Sequence, residues 1–150
     1  MSDRIEKSIE IAAPVSRVWK ALTDYREFSM WFRVKLDAPF EPGRLAAGNI
    51  TYPGYEHLRF DATVQRIDPE RYFSFTWHPY PIDPKVDYSG EPPTLVEFTL
   101  EKAAKGTLLR VVESGFDKIP AARRAEAYRM NEGGWEGQMG NIAKHVGQAP

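Results

Sequence analysis

The sequence has no cysteine among its 150 residues. A disulfide framework, a thiolate metal site and a cysteine nucleophile are therefore excluded, and the chain needs no oxidising compartment. It also lacks any apolar run near the roughly 20 residues that span a bilayer, and its charged beginning has no apolar signal-peptide centre. We therefore expect a cytoplasmic protein that does not enter a membrane.

An excess of charge of either sign is missing as well. The 20 basic and 21 acidic residues give a formal net charge of -1. A nucleic-acid groove or an anionic membrane surface would need a basic excess, so neither partner is expected.

The motifs of common catalytic and cofactor sites are also absent. There is no Walker loop, no dinucleotide glycine fingerprint, no nucleophile elbow and no closely spaced pair of metal-binding histidines. The three histidines, His57, His78 and His145, lie on different predicted elements, which favours surface or rim positions over a metal site. We expect no metal, no cofactor and no ready-made catalytic set.

What the sequence does contain is a clear change of hydrophobic period along a single domain, residues 1–150. Residues 7–12 alternate weakly as a first strand, with Ile5, Ile9 and Ile11 on one parity, and residues 15–22 carry an apolar stripe at helical spacing. Asp24 with Glu27 is typical of a capping box that opens a second short helix. Residues 58–65 with 73–77 alternate as a hairpin, as do the later residues 96–100 with 109–111.

Between the two hairpins, residues 78–93 carry five prolines and no period. A loop of this length is typical of a functional segment such as a lid, or of disorder. Beyond Pro120 the pattern is helical, with Trp135, Met139, Ile142 and Val146 on one stripe that must face the sheet. The order of elements predicts an α+β fold with one long C-terminal helix.

The last predicted helix is unusually rich in glycine. Gly133, Gly137 and Gly140 share the face opposite the apolar stripe, although each costs roughly 1 kcal/mol relative to alanine in a helix interior. Close approach of another backbone, from a loop or from a partner helix in a homodimer, would explain them. The alternative is that the face is simply exposed.

Ordered pieces of the sequence resemble one known family. They are AP at 13–14, VWKALTD at 18–24, WF at 31–32, VQRIDP at 64–69 with FTW at 75–77, TLV at 94–96, GT at 106–107, ESGF at 113–116 and NEGGW at 131–135. Together they resemble the START-like (SRPBCC) superfamily, in the group of the activator of heat-shock-chaperone ATPase homologues. The resemblance implies a helix-grip fold: a curved antiparallel sheet around a long C-terminal helix, two short N-terminal helices and an internal cavity.

The candidate site follows from strand parity and that implied cavity. Glu113 shares parity with Leu109 and Val111, so it is predicted to face inward, where a carboxylate could act as an acid or base. The alternative is a strand-end position that is solvated or paired with an arginine. The predicted ligand-binding residues are Trp31, Phe60, Ala62, Phe75, Trp77, Phe98, Glu113, Trp135 and Met139.

Three functional hypotheses remain open at this point. The first is a non-enzymatic carrier or sensor of a small hydrophobic molecule, lipids included. The second is a cyclase or hydrolase that uses Glu113 with His78 or Tyr80. The third is an interaction module with a chaperone as its partner, as the resemblance implies.

Overall fold

The computed structural model describes residues 4–81, 83 and 85–147. Within these residues the chain forms seven strands, three α-helices and two short 3-10 turns at Tyr88–Gly90 and Phe116–Lys118. In chain order the main elements are β1 (Arg4–Ile11), α1 (Val15–Thr23), α2 (Tyr25–Phe32), β2 (Val34–Leu36), β3 (Leu45–Ile50), β4 (Arg59–Asp68), β5 (Tyr72–Trp77), β6 (Thr94–Ala103), β7 (Gly106–Ser114) and α3 (Ala121–Gly147).

All seven strands belong to one antiparallel sheet, in the order β1-β7-β6-β5-β4-β3-β2. Consecutive strands from β2 to β7 are neighbours, whereas β1 pairs with β7, so α1 and α2 carry the chain from one edge of the sheet to the other. A register shift between Val64 and Arg66 in β4 marks a bulge, and bulges bend a strand and increase its twist. The predicted α+β helix-grip fold is confirmed.

Helix α3 packs against β1, α1 and α2. Its 27 residues span about 40 Å at 1.5 Å per residue. Trp135, Met139, Ile142 and Val146 are all buried, which confirms the stripe predicted from their spacing. No helix of the described residues is both long and apolar enough to cross a membrane.

Aromatic rings connect the sheet to α3. The ring centroids of Phe60 and Phe75 lie 5.9 Å apart, those of Phe75 and Phe98 6.2 Å apart, and those of Phe98 and Trp135 5.6 Å apart. This chain of contacts passes from β4 through β5 and β6 to the helix. Each such pair contributes about 0.5–1.5 kcal/mol beyond the burial of its area, so the inner face is held tightly.

The glycine face of α3 is not packed against any described part of this chain. A Cβ built on Gly133, Gly137 or Gly140 has no neighbouring atom of another element within 4 Å. The expectation that a loop of the same chain approaches these glycines is therefore wrong, because the face is exposed. A homodimer that covers this face stays a prediction.

Replacement of Gly137 and Gly140 together by alanine is expected to stabilise the protein. Alanine suits an exposed helix interior better than glycine by roughly 0.5–1 kcal/mol per site, so the melting temperature should rise by about 3–6 °C. Differential scanning calorimetry, with sedimentation to follow the oligomeric state, measures this.

The matched control is Gly43→Ala. A Cβ at Gly43 also meets nothing within 4 Å, but its φ of +84° is unfavourable for alanine, so this variant should melt lower. A lower melting temperature for the α3 double variant, or a smaller sedimenting species, would mean that another backbone does occupy the glycine face.

Asp24 links the first two helices. Its side chain accepts a hydrogen bond from the backbone N–H of Arg26 at 2.9 Å and so caps α2, as predicted. The reciprocal half of the predicted capping box is wrong, because the backbone N–H of Asp24 donates to the carbonyl of Lys20 and ends α1. Glu27 is thereby left to make a different contact.

The carboxylate of Glu27 ties α1 and α2 to the end of α3. Its Oε1 accepts hydrogen bonds from Nη1 of Arg17 and Nε2 of His145, each at 2.8 Å. Burial raises the pKa of Glu27, but the hydrogen bonds from Arg17 and His145 outweigh it, and the pKa lies below its ordinary value of 4.5. The carboxylate therefore stabilises the folded state above that pH.

Glu27→Gln is expected to lower the free energy of unfolding by about 1–2 kcal/mol at neutral pH, because the amide cannot form these charge-assisted bonds. Since the folded pKa is depressed, the wild-type advantage is fully present above 4.5 and is lost as the pH falls through the folded pKa. Urea unfolding of both proteins from neutral pH to about pH 3 should show the two stabilities converging. Glu136→Gln, on an exposed position of α3, controls for the general loss of a carboxylate. If the difference in unfolding free energy between the wild type and Glu27→Gln stayed constant at acid pH, the ion-pair assignment would be contradicted.

Candidate functional site

The sheet opens where β4 and β5 separate. The two strands pair from Asp68 and Tyr72 as far as Thr63 and Thr76. Residues 59–62 of β4 continue to pair with β3 only, because β5 ends one residue later at Trp77. The gap that results is the entrance to the candidate site.

A cleft of about 790 Å³ occupies this gap. Phe32, Phe60 and Trp77 give it an apolar floor, and most of the described residues of the segment 78–93 line its other side. Leu45 and Val86 stand at the rim with 61% and 46% of their surface exposed. The space is therefore an open, aromatic-floored cleft at the end of the sheet.

Polar side chains at the cleft are mostly engaged by the protein itself. Asp61 contacts the guanidinium of Arg59 at 3.4 Å. The side chain and the backbone N–H of Ser89 donate to Asp87, and these hydrogen bonds lower the pKa of that carboxyl. Among the described residues, no group of three or more histidine, aspartate or glutamate side chains could hold a metal ion.

Arg123, in the first turn of α3, anchors described residues of the segment 78–93 beside the cleft. Its Nε and Nη2 donate to the carboxylate of Glu91, with Nη2 at 2.6 Å, and its Nη1 donates to the carbonyl of Tyr80 at 3.0 Å. The guanidinium also lies 4.6 Å from the ring centroid of Tyr88. One arginine therefore holds Tyr80, Tyr88 and Glu91 against α3. Within the segment, Nε2 of His78 lies 2.9 Å from the carbonyl of Glu91.

Glu113 in β7 lies behind the floor of the cleft and is fully buried. Its Oε2 accepts hydrogen bonds from Trp77 Nε1 at 2.7 Å and from Thr94 Oγ1 at 2.5 Å. Its Oε1 accepts from Asn131 Nδ2 at 2.9 Å and from Trp135 Nε1 at 2.8 Å. The four donors come from β5, β6 and α3, so one side chain connects three elements.

The inward orientation of Glu113 agrees with its strand parity, and the alternative of an arginine-paired strand end is wrong. No described lysine, arginine or histidine forms an ion pair with it. A buried carboxylate is tolerated only when hydrogen bonds replace its lost hydration, and here four neutral donors do so. Both oxygens are fully occupied, which leaves Glu113 no free position toward the cleft.

Glu113→Gln is expected to lower the free energy of unfolding by about 1–3 kcal/mol, because the amide nitrogen would face two donors that need an acceptor. Urea unfolding measures the loss, and the tryptophan emission should change because two of the donors are indoles.

Glu97→Gln is the matched control on the neighbouring strand. Only Tyr72 donates to that carboxylate among the described side chains, at 2.6 Å, and an amide oxygen can accept the same bond. Its stability should change by about 0.5 kcal/mol or less. Equal losses in the two variants would show that the four-donor arrangement has no special stabilising role.

The nine predicted ligand-binding residues divide into two groups. Phe60 and Trp77 line the cleft. The others are buried within the core and do not line it: Trp31, Ala62, Phe75, Phe98, Glu113, Trp135 and Met139. Their role in ligand binding stays a prediction.

Several cleft residues were not anticipated from the sequence. Leu45 and Val86 are exposed apolar residues beside turns, and Asn131 is one polar residue within the long helix α3. The weak signal that could have pointed to them is the long proline-rich segment, because loops of that length commonly cover sites. Which strand residues lie beneath such a loop depends on where the sheet opens.

The fold and the cleft define this protein as a helix-grip domain with an open cleft of about 790 Å³ at one end of its sheet. Residues 12–147 match the family described as Activator of Hsp90 ATPase homolog 1-like protein. The chain belongs to this family, within the SRPBCC superfamily. No curated protein matches the sequence.

Solved structures share the fold over almost the whole chain. DynU16, a putative protein in the dynemicin biosynthetic locus, has a TM-score of 0.76 at 25% identity, covering 99% of this chain and 48% of its own. This chain therefore spans about half the length of DynU16. MLL2253 from Mesorhizobium loti has a TM-score of 0.76 at 23% identity, with 98% of both chains covered. CalU16 from Micromonospora echinospora has a TM-score of 0.61 at 21% identity, covering 97% of this chain and 75% of its own.

Proposed function

We propose that this protein binds a small hydrophobic molecule in the cleft between β4 and the segment 78–93, as a carrier or sensor without catalysis. The observation that carries the proposal is the aromatic-floored opening of about 790 Å³. Pockets for small molecules in proteins have volumes of roughly 300–1,000 Å³ and are mainly apolar, with few polar groups. The cleft has this size and this character.

The rim of the cleft supports the proposal. Leu45 and Val86 are among the most exposed large apolar side chains of the described residues, and both line the cleft. A bound apolar molecule would cover them and remove this surface from water, at roughly 25 cal/mol per Å². The exposed side chains therefore increase the affinity for an apolar ligand.

The segment 78–93 would act as the cover of the site. The contacts of Arg123 with Glu91 and Tyr80 hold it against α3, so the cleft keeps its shape without a ligand. Tyr80 has a φ of +51°, an unfavourable backbone conformation for a residue other than glycine. The bond from Arg123 to its carbonyl offsets part of that cost. A preformed site lowers the ordering entropy of binding.

Binding without catalysis fits the polar groups better than the enzyme hypothesis. Glu113 is enclosed by four donors and does not line the cleft. His78 and Tyr80 do line it, but His78 contacts the carbonyl of Glu91 and the Tyr80 hydroxyl donates to Glu126. A general acid or base must come within hydrogen-bonding reach of its substrate, and none of these groups has Glu113 as a partner.

The relatives give weaker support. DynU16 is described as a putative protein of a biosynthetic locus, a setting in which small molecules are made. The family description names a chaperone activator, and a chaperone partner for this chain stays a prediction.

Binding of the neutral fluorescent probe N-phenyl-1-naphthylamine tests the proposal. The wild-type protein should enhance its fluorescence saturably, and Leu45→Asn with Val86→Asn should weaken the affinity about tenfold because the rim loses apolar contact. A neutral probe and neutral substitutions avoid charge effects.

Met30→Asn with Met130→Asn is the matched control, because both methionines are exposed and neither lines the cleft. Its affinity should stay within about twofold of the wild type. No saturable binding to the wild type, or equal losses in the two double variants, would refute the cleft as the binding site.

A further inference from the structure

The side chain of Asn131 has one end in the core and the other at the cleft. Asn131 belongs to α3 and lines the cleft. Its Nδ2 donates to Oε1 of Glu113 at 2.9 Å. The amide is therefore held by a bond that points away from the cleft.

The orientation of that amide is determined by Glu113. The indole nitrogens of Trp77 and Trp135 can only donate, so Glu113 accepts from them with one oxygen each. Oε1 accepts hydrogen bonds from both Trp135 Nε1 and Asn131 Nδ2, so the Nδ2 side of the Asn131 amide faces this carboxylate oxygen. The reversed amide would set two acceptors against each other.

The Oδ1 atom of Asn131 is left available. Among the described residues, no group donates a hydrogen bond to it. No enclosed side-chain nitrogen or oxygen of the described chain lacks a partner, so this unpartnered oxygen is accessible to solvent. The structure thus presents a hydrogen-bond acceptor of fixed orientation at the cleft, which the ring of Trp77 also lines.

Other polar groups of the cleft are less suited to this role. The His78 ring contacts a backbone carbonyl, the Tyr80 hydroxyl donates to Glu126, and Thr76 Oγ1 accepts from Gln65. Each has a partner within the protein, and the two hydroxyl groups can also rotate, so neither presents an acceptor of fixed orientation. Only the Nδ2 end of the Asn131 amide has a partner, so its Oδ1 can accept a hydrogen bond from a ligand.

We infer that Asn131 Oδ1 selects ligands that combine an aromatic or fused-ring body with a hydrogen-bond donor, such as a phenolic hydroxyl. The ring body would lie against the floor formed by Phe32, Phe60 and Trp77, and the hydroxyl would donate to Asn131. Glu113 acts as a positioning residue, since it holds the amide with its oxygen outward. This inference rests on the proposed function and names the ligand class of the same cleft.

A pair of probes that differ only in the donor tests the inference: 2-naphthol and 2-methoxynaphthalene. Isothermal titration calorimetry gives the ratio of their dissociation constants for each protein. The wild type should bind 2-naphthol more tightly than 2-methoxynaphthalene by roughly three- to tenfold, the range for one net hydrogen bond.

Asn131→Leu has nearly the same shape but no acceptor, so the ratio should fall to about one, with the affinity for 2-methoxynaphthalene within about threefold of the wild type. Asn141→Leu is the matched control, because Asn141 is exposed on α3, does not line the cleft and should keep the wild-type ratio. Glu113→Gln should also reduce the ratio, because its amide no longer dictates which end of Asn131 faces the cleft. Circular dichroism confirms that each variant is folded before titration.

The outcomes separate the inference from the proposed function. Equal affinity of the wild type for the two probes, or a preference that Asn131→Leu retains, overturns the role of Asn131 and leaves hydrophobic binding in place. A preference that Glu113→Gln keeps at the wild-type ratio, while Asn131→Leu loses it, overturns the positioning role of Glu113. Failure of both probes and of N-phenyl-1-naphthylamine to bind overturns the inference together with the proposed function.

Discussion

Four hydrogen bonds to one buried carboxylate connect the sheet to the long helix. Glu113 receives donors from β5, β6 and α3, and none of these donors carries a charge. Its burial is acceptable only while all four bonds are made, since each lost donor leaves part of the carboxylate without hydration or a partner. The positions of Trp77, Trp135 and Asn131 therefore depend on one another through this residue.

The cleft depends on the same arrangement. Trp77 forms part of its floor and Asn131 part of its wall, and both donate to Glu113 from the other side. The opening itself exists because β5 ends at Trp77 while β4 continues along β3. Arg123 then holds the segment after β5 on the start of α3, so the chain that leaves the sheet borders the cleft instead of filling it.

Much of the architecture could be predicted because it repeats along the chain. Alternation in residues 58–65 and 73–77 predicts a hairpin, and the spacing from Trp135 to Val146 predicts the buried face of α3; both are present. Local sequence patterns predicted side-chain contacts less reliably where the side chain could bind a partner that is distant in the sequence. Glu27 has the spacing of a capping box, but it binds Arg17 and His145 instead, and the latter lies 118 residues away.

The sequence by itself determined the first strand, the two short helices, the two hairpins and the long helix, together with the inward orientation of Glu113, because these follow from periods of 2 and 3.6 residues. It did not predict the positions of β2 and β3. Only the tertiary structure decided which aromatic side chains fill the core and which line the cleft, since the two environments favour the same residue types. It also decided that the Nδ2 end of the Asn131 amide donates to Glu113. That choice follows from hydrogen bonds between side chains 18 to 36 residues apart, which no local pattern encodes.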